Sequence, residues 1–562
     1  MNRRALIAAL IAAASLAAPA AAGAHAVVES TVPQRGAIVS RAPGQVAFRF
    51  DEGVEGNFGA VRVFDARGDR VDRGDAFHPG SRQDELAVAL RPGLGRGTYT
   101  ATYRVVSADS HVVSGGFVFS IGEATVAGAT VEELLGAPGT GRVTSTAFAA
   151  ARALQYAAIA IAGGALAFLL LVWIPAGASM EASAAFGRRW RRLLLAAAAA
   201  GAVSALAAVT LEAAQAAGVN GWSALRPSIL REVLGTRFGT VWSLGAAAWL
   251  AVGALAAVLS PRLRPLLALP LAYLLVLPAL GGHASVQEPV AVLLPANVAH
   301  VAAMAAWLGG LVCLLAVVPA ATRAVDSRGR TRLLAAVLTR FSALALGAVA
   351  LLLVTGLVQA WLEIRDLDRV FGTAFGRAVF VKLVLLLALI ALGVLQRRRN
   401  LPALRRAARE GRSPGEAGLS LRRALRAEVA LMVGVLGVTG ALAGYAPASA
   451  VRAGPFSADA RVGPQNMQLT VDPARVGANE VHLYLTDPRT GAPVDDAREV
   501  RVAASLPEKE IGATTEQGQK AGSGHYVVPG LALGVRGHWQ LAVTVRVSAF
   551  DEYSARLTVP VR

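Results

Sequence analysis

The chain has 562 residues and a mass of 57.8 kDa; 54% of it is apolar, 16% is charged, and it carries a single cysteine with a mean hydropathy of +0.50. A soluble chain is about a quarter charged, so this composition excludes a purely soluble enzyme, a disordered chain and a disulfide scaffold. The formal charge of +18 gathers in arginine clusters between apolar runs, at Arg188–Arg192, Arg323–Arg332 and Arg397–Arg426. That is the pattern of basic loops retained on the cytoplasmic side of a membrane; no nucleic-acid-binding motif accompanies it.

Residues 1–24 read as a signal peptide, with Arg3 and Arg4 before a short apolar stretch and Ala22-Gly23-Ala24 as the cleavage pattern. Cleavage there makes His25 the mature N-terminus. An α-amine and an imidazole on one residue form a bidentate chelate, and nitrogen–oxygen ligation in a square plane suits Cu(II). Residues 26–121 follow as runs of β-formers between Gly, Pro and Asp turns, QVAFRF, ELAVAL, TYTATYRVV and GGFVFSI among them. They predict a small β-sandwich. Asp109 and His111, two apart on extended chain, project to one side. By residue type alone, that segment reads first as a solvated turn.

The stretch HAVVESTVPQRGAIVS, the Phe50–Glu52 segment and the SADSHVVSGGFVF ending resemble the CopC family of periplasmic copper-binding proteins across 25–122. The resemblance implies Cu(II) ligands at His25, Asp109 and His111. Some members of that family add a methionine-rich Cu(I) site. This stretch contains no methionine, so Cu(II) alone is expected. His78 reads as a surface residue.

After a Gly/Ala/Thr-rich linker at 123–147 come eight apolar segments, near 148–174, 193–217, 240–259, 265–281, 292–319, 334–362, 376–396 and 426–446. Each reaches or nearly reaches the roughly 20 residues that cross a bilayer; the fourth is shortest and contains Pro270 and Pro278. Export of the first domain and an even number of crossings place both termini outside a bacterial cytoplasmic membrane. The arginine-rich loops then face the cytoplasm.

Polar groups in hydrocarbon are costly and usually functional. His283 stands at the outer end of the fourth segment. Asn297, His300, Met304 and Trp307 form one stripe on the fifth. Imidazole with thioether suits copper, Cu(I) especially, but by spacing alone the stripe reads first as a packed helix face with one hydrogen-bonded histidine. Cys313 lies off the stripe and reads as a buried, inert thiol. Glu212 and Gln215, near the outer end of the second segment, are candidates for lining a cavity with these residues.

The segments GGHAS, HVAAMAAWLGGLVCL, VTGLVQAWLEI, FGTAFGRAVFVKL and LRRALRAEVALMV resemble the CopD family of copper-transport membrane proteins over 148–447. Matching positions include His283, His300, Trp307, Gly309, Gly310, Thr355, Gly356, Gly376, Arg377, Lys382, Asn400 and Glu428. With the residues above, this implies a membrane copper site at His283, His300 and Met304. Residues 454–562 read as a second outer β-sandwich that resembles the YtkA-like domain, through GSGHYVV and GHWQLAVTVRV. Its Met467, His482, His525 and His538 are scattered along the sequence.

Together the resemblances imply a fusion of two partners. Its expected role is to capture Cu(II) outside the membrane and transfer copper across it, in the direction of import, in copper homeostasis or resistance. Neither a Walker P-loop nor an ATPase phosphorylation motif is present in the sequence, and no catalytic activity is expected. Copper is the expected ligand and the lipid bilayer the expected surroundings; a copper chaperone is the candidate protein partner, and self-association is left open. Two other readings stand beside this one: a haem held by the membrane histidines of an oxidoreductase, and copper sequestration or delivery without flux.

Overall fold

A computed structural model describes residues 26–561, apart from 27, 57–59, 109–111, 124, 126–130, 136–141, 414, 446–447, 449–455, 473, 489–492 and 523. Apart from residues 106–112, which group with the helices, the strands fall in one compact unit and the long helices in another.

The first sandwich is built of β1 (Val28–Val32), β2 (Ile38–Val39), β3 (Gln45–Phe50), β4 (Val54–Glu55), β5 (Val61–Phe64), β6 (Asp72–Phe77), β7 (Glu85–Leu90), β8 (Gly97–Ser107) and β9 (Val112–Ile121). One sheet runs β1-β3-β7-β6; the other runs β2-β9-β8-β4, with β5 also paired to β8. In β3, Val46, Phe48 and Phe50 turn into the core while Arg49 faces out. Phe48 packs on Tyr103 at 5.0 Å and on Phe117 at 5.2 Å between ring centres. Burying each such ring contributes about 1.5–3 kcal/mol, so this aromatic cluster joins the two sheets.

Among the described residues, eight helices are long and apolar enough to cross a membrane: α1 (Val143–Ala176), α2 (Met180–Ala217), α3 (Arg237–Val258), α4 (Pro261–Leu280), α5 (Val290–Thr322), α6 (Ser327–Ile364), α7 (Ala374–Arg409) and α8 (Gly415–Leu442). Their starts follow from capping. Ser179, Thr236, Asp326 and Thr373 each accept a backbone N–H of the first turn that would otherwise lack a partner. The α4 segment opens as 3₁₀ turns over Pro261–Leu267 before becoming α-helical, as its prolines require.

The arginine clusters differ from expectation. Arg188–Arg192 lie inside α2, and Arg397–Arg409 continue α7. Arginine is a good helix former, and its long stem can carry the charge to the membrane surface.

Helices α1 and α5 are the most buried of the eight. They meet backbone to backbone: a Cβ on Gly164 would stand 2.0 Å from the Ala305 carbonyl oxygen, and one on Gly309 would stand 2.3 Å from that of Ala160. Glycine is required for so close an approach. Gly310 accommodates the ring of Phe341 on α6 in the same way, and Gly440 of α8 lies against the backbone at Ala149 of α1.

The second sandwich comprises β10 (Phe456–Val462), β11 (Gln465–Asp472), β12 (Gly477–Thr486), β13 (Glu499–Leu506), β14 (Ile511–Gln517), β15 (Gln519–Gly522), β16 (His525–Leu533), β17 (Gly537–Arg546) and β18 (Glu552–Val561). Its sheets run β10-β11-β12-β16-β15 and β14-β13-β17-β18. Val481, Leu483 and Leu485 of β12 enter its core together with Trp539.

Candidate functional site

His25, Asp109 and His111 lie outside the described residues. The strands before and after 109–111, β8 and β9, are neighbours in one sheet.

The membrane candidates divide between two places. His300 is on α5, and its Nδ1 stands 3.0 Å from Thr355 Oγ1 on α6. The Thr355 hydroxyl donates to the Leu351 carbonyl at 2.7 Å, so its oxygen accepts from His300 Nδ1–H. This fixes the tautomer and leaves the lone pair on Nε2, the arrangement an outer partner imposes on a metal-binding histidine. One turn towards the start of α5, Asn297 Nδ2 donates to Gln359 Oε1 at 3.1 Å. The two contacts are rungs of one polar ladder between antiparallel helices, and the imidazole lies beside Gly356, where a Cβ would make ordinary contact with it at 3.5 Å. Met304 is half-buried one turn further along α5.

His283 sits in the short turn His283–Ser285 after α4 and donates from Nε2 to the Tyr445 carbonyl at 3.1 Å, just past α8. His283 and His300 therefore have different partners. Among the described residues, no group of three or more His, Cys, Asp or Glu side chains is gathered as a metal cage.

Charged residues connect the two histidines. Lys382 of α7 interacts electrostatically with Glu363 at the end of α6 and with His300, and Glu363 interacts with His283. Sequence reasoning did not single out Glu363. The available signal was its spacing, because Thr355, Gln359 and Glu363 recur every four residues and so share one face of α6.

Glu212 belongs elsewhere. It interacts with the half-buried Arg152 of α1, whose guanidinium also lies 4.1 Å from the centre of the Phe148 ring. Cys313 is fully buried.

Beyond Met304, Trp307 lines a cavity of about 90 Å³ with Phe341, Gln396, Arg397 and Glu428. The stripe Asn297–His300–Met304–Trp307 thus leads from the polar ladder to that cavity, some 10 Å further along at about 1.5 Å per residue.

In the second sandwich, two of the scattered histidines meet. His482 Nδ1 and His525 Nε2 are 3.1 Å apart, and both residues are buried. Burial lowers the pKa of each, that of His525 to about 4. His538 is exposed and lies beside Glu508.

Comparison with known proteins accords with this architecture. The CopC domain model matches residues 28–122, the model of the copper resistance protein D-like N-terminal domain matches 143–293, and the copper resistance protein D model matches 335–442. Copper transport protein CutJ of Bacillus subtilis (strain 168) is 29% identical over 551 residues, covering 95% of each chain. Protein YobA of Escherichia coli (strain K12) is 33% identical over 98 residues, 17% of this chain and 79% of its own. Among solved structures, CopC from Methylosinus trichosporium OB3b is 29% identical, covering 17% of this chain and 93% of its own with a TM-score of 0.16. PcoC, a copper resistance protein from Escherichia coli, is 26% identical over 17% of this chain and 98% of its own, with a TM-score of 0.15. A CopC sandwich followed by eight apolar helices with both copper resistance protein D matches makes this chain a member of the CopC–CopD copper resistance and transport family.

Proposed function

We propose that this multi-pass membrane protein takes up Cu(II) through His25, Asp109 and His111 on the outer side of a bacterial cytoplasmic membrane. Copper then passes to the seam between α5 and α6 and onward as import. The observation that carries the membrane step is the His300–Thr355 contact. It presents Nε2 as a ligand, with a thioether one turn further along the same stripe and a cavity beyond. Imidazole and thioether together suit copper, particularly Cu(I). His283, held by the Tyr445 carbonyl, stands at the entry end of this route.

The test is intracellular copper in cells expressing the wild-type chain, His25→Ala or His300→Ala at matched expression. Import with a capture domain requires copper to rise with wild type and to return to the vector level with His300→Ala. With His25→Ala it falls partly, and only at low external copper. Equal copper in all strains rejects transport and leaves sequestration or delivery. A haem absorption band in the purified protein would instead make His283 and His300 haem ligands.

A further inference from the structure

His482 and His525 are 43 residues apart in sequence and are brought together by strand pairing. On β12, Val481, Leu483 and Leu485 point into the sandwich, so His482 and Tyr484 stand on the opposite face. On β16 the direct partner of Tyr484 is His525, and that of His482 is Val527. The two histidines are therefore diagonal neighbours on the outward face, a spacing within reach of ring side chains.

Such a face is normally wet, yet His482 is only 5% and His525 only 8% exposed. Arg35, in the loop after β1, forms an ion pair with Asp472 on the neighbouring strand at 2.9 Å and acts electrostatically on His482 and Tyr484.

The pair is held in place on several sides. The Tyr484 ring stacks on His525 at 4.4 Å with 7° between planes. Gly524, at a positive φ of 62°, makes the turn into β16, and its N–H donates to Asp495. Glu480 Oε1 lies 3.8 Å from His482 Nε2, on the far side of the ring from His525. A carboxylate there favours the proton on Nε2 and leaves the Nδ1 lone pair directed at His525.

We propose that His482 and His525 form a second copper-binding site, a two-imidazole clasp on the outward face of the C-terminal sandwich. The proposal rests on copper being the cargo of this chain. Two nitrogens each bound at about 2.0–2.1 Å stand about 2.9 Å apart at a right angle and about 3.4 Å apart at the tetrahedral angle. The observed 3.1 Å falls between these limits; the ring centres stand 5.4 Å apart, so the two nitrogens now face each other head to head. A metal binds once the shared proton moves to an outer ring nitrogen and both rings pivot to aim their lone pairs at one point, with no strand movement required. Imidazole suits copper, which also heads the divalent affinity order. Two protein nitrogens leave coordination positions open, which favours handing the ion on over storing it.

The experiment uses the full chain in lipid nanodiscs carrying His25→Ala and His111→Ala. Bound copper is counted after equilibrium dialysis against Cu(II) buffered with glycine. Adding His482→Gln or His525→Gln is expected to remove one equivalent, the two together no more than one, and His538→Gln none. Unchanged stoichiometry in both single variants overturns the site. Hydrogen exchange on the unsubstituted chain gives a second measurement that does not depend on variant folding. Copper should slow the amides of 481–486 and 525–528, and no slowing there also overturns it. If cellular copper is unaffected by the chain while the equivalent is lost, the clasp stands and the import reading falls. The reverse pattern removes the clasp and leaves import intact.

Discussion

His300 and Thr355 are joined by a 3.0 Å hydrogen bond whose direction is set by a third group, the Leu351 carbonyl that takes the threonine's only hydroxyl proton. The imidazole consequently has one donating and one accepting nitrogen. Removing the outer partner of a ligating histidine typically lowers metal affinity about 10–100-fold. Thr355→Val should therefore reduce copper accumulation less than His300→Ala but clearly below wild type, and Thr355→Ser should restore it. Equal uptake by the valine and wild-type chains would show that the contact only packs the helices.

Lys382 and Glu363 form a charge couple between α7 and α6. Both side chains are half-buried; removing one member of a buried pair costs about 3–5 kcal/mol when burial is complete and less here, whereas replacing both is often close to neutral. Lys382→Met should sharply lower the yield and thermal stability of the purified protein. Lys382→Met combined with Glu363→Met should recover much of the loss, and simple addition of the two single effects would refute the coupling.

Gly164 and Gly309 offer a steric test. Gly164→Leu must push α1 from α5, and overpacking of this kind costs about 1–3 kcal/mol or more. Gly347 of α6 has open space where its Cβ would lie, so Gly347→Ala should leave stability unchanged or raise it by about 0.4–1 kcal/mol. Melting curves in one detergent would separate these outcomes.

The phenol of Tyr103 is pushed up to about 12 by burial in the aromatic cluster of the first sandwich. The unfolded chain releases this proton near pH 10 and the folded chain near 12. Stability is therefore fully present below pH 10 and falls as pH rises from 10 to 12, by about 2–3 kcal/mol at the top of that window. Tyr103→Phe should flatten this alkaline decline, as followed by hydrogen exchange of β3 and β8 peptides. An identical decline in the variant would assign it to another group.

Much of this architecture is legible in the sequence, because one chemical property dictates each part. Alternation in QVAFRF puts Val46, Phe48 and Phe50 inside, and the eight apolar runs correspond to eight helices of membrane-spanning length. The stripe of α5 is legible for the same reason, since it lies within one helix. What the stripe touches depends on which helix stands opposite. Thr355 was visible only as a motif position, and Glu363 as one polar residue near a helix end. The His482–His525 contact depends on strand register, which turns and bulges determine over long range; the shift between Asn479 and Val481 falls within that pairing. Glu212 shows the same limit from the other side, since its electrostatic partner, Arg152, lies on a different helix, 60 residues away.

The glycine contact between α1 and α5 has a mechanical meaning for copper passage. Backbones in direct contact cannot slide without a clash, so the helix that carries Asn297, His300, Met304 and Trp307 is fixed to a spine. Helices α6 and α7 bury far less of their surface in the bundle, and α6 supplies the facing wall of the seam. If copper takes the proposed route, opening the seam is work for α6 and α7 moving against a stationary α5. A disulfide tying α1 to α5 should spare copper uptake, and one tying α5 to α6 should arrest it until reduced. On the proposed route, the helix that carries His300 and Met304 would stay still while its neighbours act as the gate.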